Sequence, residues 1–293
     1  MRARSAVRRS ALVLCLLLVA ASAFAQAPPQ IQPPPYKPQV GQHGKDVVWV
    51  PTPQALVEKM LDMAKVTPQD VVMDLGSGDG RTAIAAAERG ARAVGVEYNP
   101  AMVELSIENA AKAGVSDRTQ FVRADLFDVD LSGATVITLF LLPDLNMKLR
   151  PKLLDLRPGT RVVSNTFMME DWTPDDTQSI GGDCVSWCVA HLWIVPAHVG
   201  GAWTWPGAEL SLEQAFQALS GALKTGSDTV PIVNARLRGD RIGFTAGATT
   251  YAGTVNGSTI EGTATTGSTS ARWTASRVPK SSNFAAVTIV SIR

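Results

Sequence analysis

The ten residues VVMDLGSGDG, positions 71 to 80, limit most tightly what this chain can fold into. A run of β-forming apolar residues ends at Asp74 and meets glycine at 76, 78 and 80 before RTAIAAAERG resumes with helical spacing. Strand, glycine turn and helix open a βαβ unit, in which the chain turns sharply and lets a ligand approach its backbone. The flanking sequence continues the alternation. TPQALVEKMLDMAKV (52–66) predicts an amphipathic helix with Thr52 as N-cap and Pro53 at the first position. ARAVGVEY, TQFVRADL, TVITLFLL and TRVVSNTFM read as strands, and PAMVELSIENAAKAG and DLNMKLRPKLLDL as the helices between them. Such alternation implies right-handed crossovers and a parallel sheet covered on both faces. CVAHLWIVPA and GAWTWP, joined around Gly200 and Gly201, read as an antiparallel hairpin that closes it. The expected fold class is therefore α/β, with five parallel strands plus a terminal antiparallel hairpin.

Beyond Trp205 the composition shifts to Gly, Ser and Thr, with turn pairs every eight to twelve residues. GDRIGFTA (239–246) and GSTIEGTA (257–264) match at Gly, Ile, Thr and Ala with an offset of 18, which suggests repeated hairpins. LSLEQAFQALSGAL (210–223) fits either a helix or two strands; Gly221 and the following KTGSD favour strands. Residues 207–293 are expected to form a small all-β domain, a sandwich or a barrel. At the other end, MRARSAVRRS carries four arginines and no acid and precedes the apolar run ALVLCLLLVAASAFA. That pattern predicts a secretory signal peptide over 1–25, cut after Ala25, since its 15-residue apolar stretch is short of the roughly 20 needed to span a bilayer. Arg8-Arg9 weakly resembles a twin-arginine signal. A proline-rich linker (26–40) follows, and the catalytic-type fold is assigned to 41–206.

Without the leader the chain holds 23 basic against 26 acidic residues, a balance that favours neither nucleic acid nor an anionic membrane surface, and no stable membrane insertion is expected after signal cleavage. Two cysteines remain, Cys184 and Cys188, which an oxidising compartment would join. The alternative for this pair, a metal site, lacks a neighbouring His or Cys cluster to complete a tetrahedron, so no metal is expected. His43, His191 and His198 have no paired acid or nucleophile and read as structural.

The glycine loop carries the chemistry. A dinucleotide fingerprint would place a glycine at 81, where Arg81 stands, and would press pyrophosphate against Asp79. A phosphate-binding P-loop fails as well, because no Gly-Lys-Ser/Thr follows. The acids suit the opposite kind of ligand, one with ribose and adenine but with an ammonium and a sulfonium in place of phosphate. S-adenosylmethionine is that molecule. VGVEYNP ends its strand at Glu97, placed to accept both ribose hydroxyls, and VRADLF ends the next at Asp125, placed to accept from the adenine amino group.

Residues 47–205 resemble the class I S-adenosylmethionine-dependent methyltransferases, whose core is a Rossmann-like methyltransferase sheet. WVPTPQALVEKML, DLGSGDGR, VEYNP, ADLF and LFLLPDL are most similar to the protein-lysine methyltransferases that include the mitochondrial enzyme acting on the ATP synthase c-subunit. The resemblance implies that Asp74, Gly76, Gly78, Gly80, Glu97 and Asp125 serve the cofactor, and the charge of the loop adds Asp79 to them. It implies that Trp49, Thr52, Leu142, Pro143 and Asp144 border the methyl acceptor, protein or small molecule, and a carboxylate at Asp144 would be placed to orient that acceptor. The competing role for Asp144 is to cap the helix from Leu145. A second class of function keeps the fold without the catalysis, as a module whose β domain binds an envelope partner.

Overall fold

The structure is a computed structural model that describes residues 36–182 and 184–279, so the expected leader lies outside the described residues. In chain order the first half comprises α1 (Gln54–Met63), β1 (Val71–Leu75), α2 (Arg81–Glu88), β2 (Arg92–Glu97), α3 (Pro100–Lys112), β3 (Thr119–Arg123), β4 (Val136–Leu139), α4 (Pro143–Leu154), β5 (Arg161–Asn165), β6 (Asp176–Ser179) and β7 (Val189–Ile194). These strands form one sheet in the order β3-β2-β1-β4-β5-β7-β6. β1 to β5 run parallel, and β7 pairs antiparallel with both β5 and β6. The reversal of strand order between β1 and β4 opens a crevice at the carboxyl ends of the strands, where ligands bind in such sheets.

The strand residues are apolar on both faces because helices cover both. Val72, Val136, Val163 and Leu192 pack with Leu56, Val57, Leu61 and the alanines of α2. Leu75, Val96, Ile137, Leu139 and Trp193 pack on the other side with Leu145, Leu149 and Leu153, one stripe of α4 at intervals of four. Burying each of those leucines contributes about 1.5–3 kcal/mol. At the opposite end of the sheet, Asp70 accepts from the Thr67 N–H (2.8 Å) and the Thr135 hydroxyl (2.7 Å) and pairs with Arg161, which also donates to the Ala64 carbonyl (2.7 Å). This cluster ties the entry to β1 to the starts of β4 and β5.

The second half comprises β8 (Gly201–Trp205), β9 (Ala208–Ala215), β10 (Ala218–Thr225), β11 (Asp228–Arg238), β12 (Arg241–Ala246), β13 (Thr249–Asn256), β14 (Thr259–Thr266) and β15 (Thr269–Arg277). They close into an antiparallel barrel in the order β10-β11-β12-β13-β14-β15-β8-β9. Trp203, Leu210, Leu223, Leu237, Phe244, Ile260 and Trp273 fill its interior. At Gly221 a Cβ would lie 1.8 Å from the Ser211 carbonyl oxygen, so only glycine lets β9 and β10 approach there. The segment 210–223 is two strands, and the 18-residue repeat is one hairpin period, matching β12 to β14.

Three sequence expectations are corrected. GAWTWP does not pair with CVAHLWIVPA: β8 closes the barrel between β15 and β9, and the partner of β7 is β6, whose short polar sequence DTQS gave little apolar signal. Thr52 does not cap α1, because Pro53 occupies the N-cap position and the Thr52 hydroxyl instead accepts from Asn165 Nδ2 (3.2 Å). α4 begins at Pro143 with Leu142 as its N-cap, so Asp144 lies inside its first turn.

Sheet and barrel belong to one compact unit from Tyr36 onward. Trp172 stacks on Phe216 (5.9 Å between ring centroids) and donates to Gln217 Oε1 (3.1 Å), and Arg236 pairs with the buried Asp175 (2.7 Å).

Candidate active site

A cavity of about 230 Å³ lies over the carboxyl ends of β1, β2, β3 and β4. Asp74, Gly76, Gly78, Asp79, Glu97, Asp125, Trp49, Thr52 and Leu142 all line it. Gly80, Pro143 and Asp144 do not appear among its walls.

Each wall residue is held for a local reason. Asp74, last but one in β1, is buried and accepts a 2.6 Å hydrogen bond from the Thr138 hydroxyl on neighbouring β4. Burial, with smaller contributions from Asp79 and Glu97, raises its pKa from 3.8 to about 7. Gly78 follows with φ +55°, and a Cβ there would stand 2.6 Å from the Trp49 indole nitrogen. Only glycine lets the Trp49 ring pack this closely on the loop. Ser106, buried on α3, donates to the Gly78 carbonyl (2.9 Å) and fixes the loop from behind. Gly80 serves packing: a Cβ would meet the Phe121 ring and Ser106 at 2.9 Å.

Glu97 ends β2 with its carboxylate turned back onto the loop, accepting from the Gly78 N–H (3.0 Å) and the Asn99 N–H (2.9 Å). Asp125 accepts from the Phe127 N–H (3.0 Å) and pairs with Lys45, which holds its carboxyl below the usual range; Lys45 also lies over the Tyr98 ring (5.1 Å). Asp79 differs from the other acids. Arg81 takes both of its oxygens (2.9 and 2.6 Å) and donates to the Thr52 carbonyl (2.9 Å), so this carboxylate braces the loop against the segment before α1. The charge assigned to Asp79 from sequence is thus balanced within the chain.

The segment 41–49 folds over the mouth. The Gly41 N–H donates to the Trp49 carbonyl and the Trp49 N–H to the Gln42 carbonyl, which sets Lys45 and Trp49 against the cavity. His43 lines it as well, whereas His191 is held between the Thr177 hydroxyl (3.0 Å) and the Thr166 carbonyl (3.1 Å), with burial lowering its pKa. On the far side stand Phe140, Phe167 and Trp187. Sequence reading passed over all three, together with Lys45 and Thr138. Phe140 sits in the quoted LFLL run, but Phe167 and Trp187 reach the cavity only through the β5–β7 pairing, which leaves no local signal.

The walls fit a nucleoside carrying cationic groups. Ser77 lines the cavity, and its buried hydroxyl has no partner among the described residues. Acids stand at three adjacent strand ends, β1, β2 and just beyond β3.

Comparison with known proteins gives the same direction. The ANTKMT methyltransferase domain family matches residues 74–176, and a DNA methylase family matches 29–108. A protein-lysine N-methyltransferase of Saccharolobus islandicus is 42% identical over 155 residues, covering 52% of this chain and 96% of that protein. The ATP synthase c-subunit lysine N-methyltransferase of Mus musculus is 38% identical over 138 residues, which is 47% of this chain and 56% of the mouse protein. A crystal structure described as an RNA methyltransferase from Salinibacter ruber with S-adenosyl-L-homocysteine is 47% identical, with a TM-score of 0.48, covering 51% of this chain and 96% of that one. None of these three alignments covers much more than half of this chain. The cofactor is S-adenosylmethionine, and the chain belongs to the S-adenosylmethionine-dependent methyltransferase family of which the Saccharolobus protein-lysine N-methyltransferase is a member.

Proposed function

We propose that this chain N-methylates lysine side chains of proteins outside the cytosol. The observation that carries the reading is the division of one cavity into an acidic half, Asp74, Glu97 and Asp125, and an apolar half built from Trp49, Phe140, Leu142, Phe167 and Trp187. When bound, S-adenosylmethionine supplies an electrophilic methyl group on a sulfonium. In this reading Glu97 holds the ribose hydroxyls, Asp125 releases Lys45 to receive the adenine amino group, and Asp74 faces the cationic groups of the amino-acid portion. The apolar half excludes water and aligns the acceptor, which is most of what a displacement at a methyl carbon requires of a protein.

Asp144 has no part in this assignment. It is exposed in the first turn of α4, outside the cavity walls, where a carboxylate complements the positive end of the helix. The acceptor amine passes its proton to solvent at the open mouth of the cavity. The location rests on the leader pattern and on the Cys184–Cys188 disulfide, which suits an oxidising compartment.

The test is to incubate the purified chain with S-adenosylmethionine and an envelope protein fraction, with Glu97→Ala alongside, and to map modified peptides by mass spectrometry. Methylated lysines are expected with the wild-type chain and not with the variant. Methyl transfer to small molecules only, or to no acceptor, removes the lysine reading.

A further inference from the structure

The sheet order lays the cavity out in two chemical halves. The acids come from the ends of β3, β2 and β1, and three aromatic rings come from the other side of the switch point: Phe140 directly after β4, Phe167 two residues after β5, and Trp187 just before β7. Their ring centroids are mutually 5.5 to 6.1 Å apart, so they form one continuous aromatic surface. None of the three is buried in the core, although each would gain by it: Phe140 and Phe167 are half-buried and Trp187 keeps 37% exposure. A large aromatic surface left open inside a cavity is a place for a ligand to stack.

Trp187 owes its position to its loop. Cys184 and Cys188 are joined, closing a five-residue ring in which Val185 is 95% exposed while Trp187 turns back over Phe140 and Phe167. Trp187 does so with φ +61°, a left-handed conformation that a bulky residue rarely adopts. An open chain would relax from it. Phe167 is held from beneath, its N–H donating to the Asn165 carbonyl (2.7 Å) while buried Asn165 is anchored on Thr52.

Taking the methyltransferase reading above as its basis, we infer that Phe140, Phe167 and Trp187 are the acceptor wall, selecting an alkylammonium group by its charge, and that the Cys184–Cys188 bond holds Trp187 in that wall. Aromatic faces attract a cation within about 6 Å of the ring centroid, and the spacing of these three lets one ammonium reach all of them. A neutral group of the same shape gains only the apolar contact. Exchange with a reducing dithiol, which leaves as its own disulfide while Cys184 and Cys188 become thiols, frees Trp187 and weakens acceptor binding, which makes the enzyme responsive to the redox state of its surroundings.

The experiment uses the full chain saturated with S-adenosylhomocysteine, whose binding is first measured by calorimetry. Failure at that step overturns the cofactor reading itself. Two probes are then titrated: Nα-acetyl-trimethyllysine methylamide and its neutral isostere, in which a tert-butyl carbon replaces the quaternary nitrogen. The ammonium probe is expected to bind about tenfold more tightly. Trp187→Ala should abolish that preference, Trp187→Phe should keep part of it, and Val185→Ser should leave it intact. Phosphine reduction, or Cys184→Ser with Cys188→Ser, should reproduce the Trp187→Ala result. Equal affinity of the two probes for the wild-type chain overturns the wall, and a preference that survives reduction overturns the role of the disulfide.

Discussion

A carboxylic acid whose pKa stands near 7 is half neutral at physiological pH, so Asp74 couples the site to protons. Its folded pKa lies above the ordinary value, so its contribution to stability is fully present below about pH 4 and is lost as pH rises through about 7. A cationic ligand favours the ionised form and reverses the balance. Binding of S-adenosylmethionine at about pH 6 should therefore release protons, measured by calorimetry in buffers of different ionisation enthalpy, and affinity should rise with pH until about 7. Asp74→Asn, which keeps an acceptor for Thr138, should remove this dependence; an unchanged pH profile would show that Asp74 does not face the cation. At Glu97 the expected loss is of another kind. Glu97→Ala should weaken cofactor binding by about 1–3 kcal/mol through unpaired buried hydroxyls. Asp144→Asn should leave the rate of methyl transfer within a few-fold of wild type, since that side chain points to solvent from the helix's first turn. A loss of a hundredfold or more would restore it to the chemistry.

At the level of elements, the strongest joint away from the site is the cluster around Asp70. Its carboxyl lies below the usual range despite burial, owing to the Thr135 hydroxyl, the Arg161 guanidinium and the Thr67 N–H, so this stabilisation is present above about pH 4 and fades as pH falls below it. Asp70→Ala leaves a largely buried Arg161 without its partner and should cost about 3–5 kcal/mol in urea unfolding, while Lys112→Ala, at an exposed i,i+4 pair on α3, should cost about 0.5 kcal/mol or less. A small loss at Asp70 would mean that water replaces its carboxylate. The parallel strands and their helices were legible in sequence because each carries its own apolar period and is punctuated by glycine, as in DVVMDLGSG. β6 was not, since Asp176, Thr177, Gln178 and Ser179 are polar and become a strand only by pairing with β7. The acids at strand ends were likewise legible from spacing, whereas the aromatic surface depends on which strand ends become neighbours. The sequence shows Arg81 only as the residue that breaks a dinucleotide fingerprint; its grip on Asp79 and Thr52 needs the fold.

For the whole molecule, the decisive strand is β8. It is the strand that joins β15 to β9, so a fragment starting at 207 lacks one stave and exposes two unpaired strands. Residues 197–279 expressed alone should melt cooperatively with β-type circular dichroism, whereas 207–279 should be less stable or aggregate. Equal stability of the two would show that β8 is dispensable. Closure also brings the ends of the barrel segment together: the Val278 N–H donates to the Ala202 carbonyl (2.8 Å), and Arg277 donates to the Gly200 carbonyl (2.8 Å) while stacking on Trp203. A segment that departs and returns through one doorway is portable. Two joints a few ångströms apart are enough to splice it into a surface turn of an unrelated host.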